Sequence, residues 1–194
     1  MKPVAVLYAT REGQTQRIAE HVAAGLRGRG LDATASNVRE RDAGSDLDAY
    51  AAVVLAASVH AGQHEREMIE LAKTHRERLD GMPNAFLSVT LSEAGAERTG
   101  ATAGERARSS ADVTKMIDRF VHDTGWHPKR IVPVAGALRY TRYNFLVRFV
   151  MKRIARASGG SADTSRDHEY TDWKALDDFV ATFADEVKAQ GRAA

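Results

Sequence analysis

The chain has 194 residues and a formal charge of +2, with 43% hydrophobic and 28% charged residues; this is ordinary globular composition, long enough for a full core, and any basic surface must come from uneven distribution. It contains no cysteine, which excludes disulfides, thiolate metal sites, iron–sulfur clusters and thiol catalysis. No apolar run approaches the roughly 18 residues of a membrane-spanning helix, and the N-terminus, one lysine followed by a strand, predicts no signal peptide.

In chain order the pattern alternates strand and helix. Val4–Ala9 reads as a buried strand. Gln14–Gly28 reads as a helix, with Ile18, Val22 and Leu26 four apart on one face. Gly28 and Gly30 end it. Residues 31–38 predict a second strand, and 39–49 a polar, irregular connection. Residues 51–57 are apolar without alternation, as in a strand covered on both faces. A helix over 65–79 and a strand over 84–91 follow. Residues 92–110 are rich in Gly, Ala, Ser and Thr and read as a mobile loop. Val113, Met116, Ile117, Phe120 and Val121 mark a helix, and residues 130–138 a fifth strand. Residues 139–166 form a second insertion. Trp173, Leu176, Phe179, Val180, Phe183 and Val187 then form a long closing helix stripe. The expectation is one α/β domain over 1–194. Its core is a doubly wound, five-stranded parallel sheet, with insertions after strands 4 and 5.

Between the first strand and helix lie Thr10, Arg11, Glu12, Gly13, Gln14 and Thr15. A helix start offers unpaired N–H groups and a positive dipole end, which together seat a phosphate. Thr10 and Thr15 add hydroxyls, and Gly13 lets the backbone approach an anion closely. The spacing excludes a P-loop, which needs Gly-Lys-Ser/Thr, and a dinucleotide fingerprint, which needs three glycines. Thr-x-x-Gly-x-Thr at this place resembles the flavodoxins, which hold the phosphate of FMN; the plainer alternative is an ordinary helix capped by Thr10. The resemblance implies the flavodoxin-like order 2-1-3-4-5, with ligand at the switch between strands 1 and 3.

That order gathers three loops. The second is Ser58, Val59, His60, Ala61 and Gly62; the third is Ser88, Val89, Thr90 and Leu91. In a flavin site, Ser58, Ser88 and Thr90 would bond the polar edge of the ring, and Gly62 would let the backbone approach it. His60 and His64 are four apart, with no third ligand at a persuasive spacing, so no metal is expected. His60 is a candidate for acid–base chemistry. No G-x-S-x-G element supports a hydrolase.

Residues 139–156 contain no acid and carry Arg139, Arg142, Arg148, Lys152, Arg153 and Arg156. On a helix, Arg148, Lys152 and Arg156 share one stripe, and Leu146, Val147, Val150 and Ile154 another. A basic amphipathic helix reads as a membrane-surface element, attracted to an anionic leaflet by about 1 kcal/mol per basic residue. It also suits a solvated face, or a seat for a carboxylate-bearing substrate. Nucleic acid is not expected, because the acidic closing helix (Asp172, Asp177, Asp178, Asp185, Glu186) opposes phosphate and the strand pattern fits no nucleic-acid module.

Six segments occur in order: Thr10 to Thr15, Ala57-Ser58-Val59, Met82-Pro83-Asn84-Ala85-Phe86, Ala135-Gly136-Ala137-Leu138-Arg139-Tyr140, Ser158-Gly159-Gly160 and Tyr170-Thr171-Asp172-Trp173. Together they resemble the flavodoxin-type, menaquinone-dependent protoporphyrinogen IX dehydrogenases of bacteria. The resemblance implies FMN-dependent oxidation of protoporphyrinogen IX in haem biosynthesis, with electrons passed to a respiratory quinone. It also implies FMN held by residues 10–15, 58–62 and 88–91. Arg139, Arg142, Arg148, Lys152 and Arg153 would then meet membrane, quinone or the substrate's propionates. The expected location is cytoplasmic, peripherally on the inner face of the plasma membrane. A homo-oligomer stays open, since no face identifies itself as an interface. Ala61 stands where the family often carries an aromatic that stacks on flavin, and 92–110 looks longer than usual. A flavodoxin-like electron carrier and an NAD(P)H-dependent quinone reductase are the alternatives; a sequence pI near 9.0 argues against the typically acidic carriers.

Overall fold

The computed structural model describes residues 1–40, 44, 46–138 and 165–193. Its sheet comprises β1 (Val4–Ala9), β2 (Ala33–Asn37), β3 (Ala52–His60), β4 (Gln63–His64), β5 (Asn84–Thr90) and β6 (Ile131–Ala135). The order is β2-β1-β3-β5-β6, parallel throughout, with β4 folded back antiparallel on β3. The five parallel strands thus take the expected order 2-1-3-4-5.

Strand alternation divides the core in two. Val4, Val6 and Tyr8 of β1 and Ala52, Val54 and Ala56 of β3 face α1 (Gln14–Gly28) and the closing helix. There they meet Ile18, Val22, Leu26, Leu176, Phe179, Val180 and Phe183. The intervening Ala5, Leu7, Val53, Leu55 and Phe86 face α2 (Arg66–Thr74) and the helix side that carries Phe120. Phe86 and Phe120 stack at 4.1 Å, and Trp126 packs edge-on to both at 6.3 Å. The central strands β1, β3 and β5 are therefore covered on both faces, whereas β2 and β6 at the sheet edges stay partly exposed.

Several expected boundaries are corrected. The helix over 65–79 divides into α2 and α3 (Arg76–Asp80) at His75, whose φ of −108° and ψ of 17° leave the helical range. Residues 92–110 are not a loop. Most of them are helical, in α4 (Leu91–Glu97) and the start of α5 (Ala103–Thr124). Thr90 caps α4 by accepting from the Glu93 N–H at 2.9 Å, and Thr102 and Glu105 close a reciprocal capping box on α5. Alanine-rich composition suits helix as well as loop. The fifth strand stops at Ala135 instead of running to residue 138. Gly136 donates to the Thr90 carbonyl at 2.9 Å and accepts from the Tyr170 N–H at 3.1 Å. The chain then leaves the sheet as β7 (Ala137–Leu138), antiparallel to β8 (His168–Glu169). The last helix, α6, spans Trp173–Ala193.

Candidate functional site

The C-terminal ends of β1, β3, β5 and β6 meet along one edge of the sheet, where open α/β sheets place their ligands. A cleft of about 740 Å³ opens there, within the range of about 300–1000 Å³ usual for small-molecule sites. The loop before α1, the β3–β4 hairpin, the β5–α4 junction and one side of α5 enclose it.

At one end stands the start of α1. Gly13 adopts φ 88°, a left-handed conformation, and its N–H donates to Thr10 Oγ1 at 3.0 Å. The first intrahelical bond is Arg17 N–H to the Gly13 carbonyl at 3.2 Å. The amides of residues 14–16 precede it and point out of the helix end. Thr10, Glu12, Gln14 and Thr15 line the cleft. Thr15 is buried, and its hydroxyl has no partner among the described residues. An unpaired buried hydroxyl at a helix N-terminus fits an anionic group that completes its hydrogen bonding. This donor set suits the phosphate of FMN.

The Tyr-Thr-Asp-Trp segment braces this end. Gln14 Nε2 donates to Thr171 Oγ1 at 2.8 Å, and Thr171 Oγ1 donates to the Ala135 carbonyl at 2.7 Å. Arg17 pairs with Glu169 and lies 5.5 Å from the Trp173 ring centre, while Trp173 Nε1 donates to Glu169 Oε1 at 2.8 Å. Asp172 Oδ1 caps α6 by accepting from the Ala175 N–H at 2.9 Å.

Glu65, absent from the expected site, joins two of the three loops. Its carboxylate is fully buried. It accepts from Arg11 Nε at 3.0 Å and from Ser58 Oγ at 3.1 Å, with His60 Nε2 at 3.6 Å and Arg39 at 3.7 Å. No periodicity marks this residue: it immediately precedes α2 and reads as helix surface. Arg11 and Ser58 thus turn toward Glu65 and link the loop before α1 to the hairpin. In the hairpin turn, Ala61 (φ 49°) and Gly62 (φ 75°) both lie in the left-handed region, as a two-residue turn between antiparallel strands demands.

The third loop is used in part. Val89, Thr90 and Leu91 line the cleft. Ser88 does not: it is fully buried, and its hydroxyl bonds His64 Nε2 at 2.9 Å. Ser88 shares its sheet face with Thr90 but lies two residues deeper in β5, where His64 takes its hydroxyl. His64 packs edge-on against Phe86 and Phe120 at 5.1 Å, and burial pushes its pKa down to about 4. It is a neutral core imidazole, whereas His60 lines the cleft. Among the described residues no group of three metal-ligating side chains occurs.

A fourth wall escaped the sequence reading. Asp112, Lys115, Met116 and Arg119 of α5 all line the cleft. Their i, i+3, i+4, i+7 spacing is one helical stripe. Val113 and Phe120 lie on the buried side of the same helix. Met116 therefore belongs to the cleft rather than to the core stripe. No Phe, Tyr or Trp is among the lining residues, so Ala61 has no aromatic substitute among the described ones. Arg139, Arg142, Arg148, Lys152 and Arg153 lie outside the described residues.

The flavodoxin domain family matches residues 5–165. The chain is 36% identical over 182 residues to a protein of Escherichia coli K12 named protoporphyrinogen IX dehydrogenase (quinone), covering 94% of this chain and 92% of that protein. It is 32% identical over 183 residues to a Leishmania major protein of the same name, covering 92% and 73%. Among solved structures, a Streptococcus flavodoxin superposes with a TM-score of 0.52 at 15% identity, over 96% of this chain and 98% of that one. A Desulfovibrio gigas rubredoxin:oxygen oxidoreductase gives 0.56 at 12%, over 97% and 37%. These structures share the fold. The chain belongs to the flavodoxin domain family and, within it, groups with the protoporphyrinogen IX dehydrogenases (quinone).

Proposed function

We propose that this protein is an FMN-dependent oxidoreductase that converts protoporphyrinogen IX to protoporphyrin IX and passes the electrons to a quinone. One observation carries the reading: the cleft runs from an anion-ready helix start, with the unpaired Thr15 hydroxyl, to an open apolar and basic wall on α5. It does so in a chain whose relatives bear that dehydrogenase name.

The first-turn amides of α1, with Thr10 and Thr15, hold the cofactor phosphate. The β3–β4 hairpin and Val89 to Leu91 flank the ring. When bound, FMN supplies the redox chemistry. Val59, Val89, Leu91 and Met116 keep water from the reacting face. In this reading His60, which lines the cleft, takes a substrate proton. Glu65 Oε1, 3.6 Å from its Nε2, receives a charge-assisted bond once the ring is protonated. The basic segment over 139–156 holds the protein peripherally on the anionic inner face of the plasma membrane, close to apolar quinone and porphyrinogen; among the described residues no helix is long and apolar enough to cross it.

The test is an absorbance spectrum of the FMN-loaded protein during anaerobic addition of protoporphyrinogen IX. Flavin bleaching that accompanies porphyrin appearance, with three two-electron flavin reductions per porphyrin formed, and that added quinone reverses, is the expected result. Flavin that stays oxidised overturns the reading and favours an electron carrier.

A further inference from the structure

The α5 wall is the part of the cleft left over once the loop before α1, the hairpin and the β5–α4 junction are assigned to a flavin. Its composition is specific. Met116 gives an apolar surface, with Lys115 beside it and Arg119 one turn along. Both cations are exposed, at the rim. Lys115 has no ion pair among the described residues, and Arg119 reaches only Asp123 of its own helix, at 3.5 Å. The apolar lining lies deeper, at Val59, Val89, Leu91 and Ala137. A ligand matching this gradient has a broad apolar body and anionic groups on one edge. Ammonium and guanidinium groups one turn apart suit carboxylates on flexible arms better than a single fixed anion.

Resting on the function proposed above, we infer that Lys115 and Arg119 seat the two propionate carboxylates of the tetrapyrrole. Its apolar edge then faces Met116 and the flavin position. Asp112, the acid on the same stripe, lies on the opposite side of Lys115 from Arg119 along the helix and repels a carboxylate there. The pair therefore sets orientation as well as affinity, and α5 becomes a specificity element for dicarboxylic tetrapyrroles.

The test uses the full-length, FMN-loaded protein and binding rather than turnover. Protoporphyrin IX and its uncharged dimethyl ester, in the same neutral detergent, are titrated while porphyrin and flavin fluorescence are followed. Lys115→Glu and Arg119→Glu each weaken binding of the free acid by about five- to tenfold, the scale of a rim charge reversed. FMN affinity does not change, Lys115→Arg stays near wild type, and the ester does not distinguish the variants. Equal binding of the free acid to wild type and both variants overturns the inference and leaves the proposed function standing. So does an equal loss for acid and ester, which marks a change of shape alone. A wild-type protein that binds no porphyrin removes the proposed function, and the inference with it.

Discussion

At the α1 end of the cleft, Arg11, Gln14 and Arg17 each bond a side chain from a distant part of the chain: Glu65, Thr171 and Glu169. On the α5 wall, Lys115 has no ion pair among the described residues, and Arg119 meets only its own helix. One end is braced before any ligand arrives; at the other, no charged side chain is tied to another element among the described residues. Fixed donors suit a cofactor that is always the same, since prior ordering lowers the cost of binding. Adjustable cations suit a substrate that must enter and leave. What ties α5 down is apolar: Phe120 packed on Phe86 and His64.

The largest effect should come from attacking that apolar anchor. Burial disfavours the charged form of His64, so the folded protein takes up its proton only near pH 4, while the unfolded chain takes it up near 6.5. Between these values the unfolded state binds more protons. Stability is therefore complete above pH 6.5 and falls as pH drops toward 4, by about 3 kcal/mol. Urea unfolding across this window should show the loss in wild type and a much flatter profile in His64→Gln, which keeps a partner for Ser88 without titrating.

At the braced end, Glu65→Gln should lower stability by about 2 kcal/mol, since it weakens bonds from Arg11 and Ser58 in a buried site. It should also loosen FMN binding severalfold, read by flavin fluorescence; unchanged FMN affinity would show that the two loops bind independently. Thr171→Val should cost about 1–2 kcal/mol in urea, because the Gln14 amide and the Ala135 carbonyl both lose their partner. Thr15→Val has the smallest effect on the free protein, which should be as stable as wild type or slightly more so, since an unpaired buried hydroxyl is removed. Its FMN affinity should nonetheless fall about tenfold, the scale of one hydrogen bond to a charged group. A stability loss without an affinity loss would place that hydroxyl in packing instead.

The sheet is legible mainly through β1 and β3, whose apolar runs without alternation fit strands covered on both faces. Thr10, Gly13 and Thr15 were legible because backbone chemistry at a helix start is local in sequence. Hydroxyl chemistry alone misplaces Ser88, because it sits two residues deeper in β5 than Thr90 and is taken up by His64. In residues 92–110 the glycines and serines mask two capping signals, Thr90 with Glu93 and Thr102 with Glu105. Glu65 was invisible: its partners are Ser58, seven residues away, and Arg11, fifty-four away, and only the fold brings them together. The cleft stripe of α5 could have been found, since Asp112, Lys115, Met116 and Arg119 recur at helical spacing. It was hidden by Met116, which counts as core by hydrophobicity alone.

The antiparallel pair of β7 and β8 has one more implication. Leu138 stands opposite His168, so the polypeptide departs and returns through neighbouring positions beside Gly136. Because neither strand of this pair belongs to the main sheet, a change in the number of residues between them should leave the register of the five parallel strands as it is. That rung is a candidate graft point: the sequence between its two strands should be replaceable by a relative's without disturbing the strands that end at the cleft.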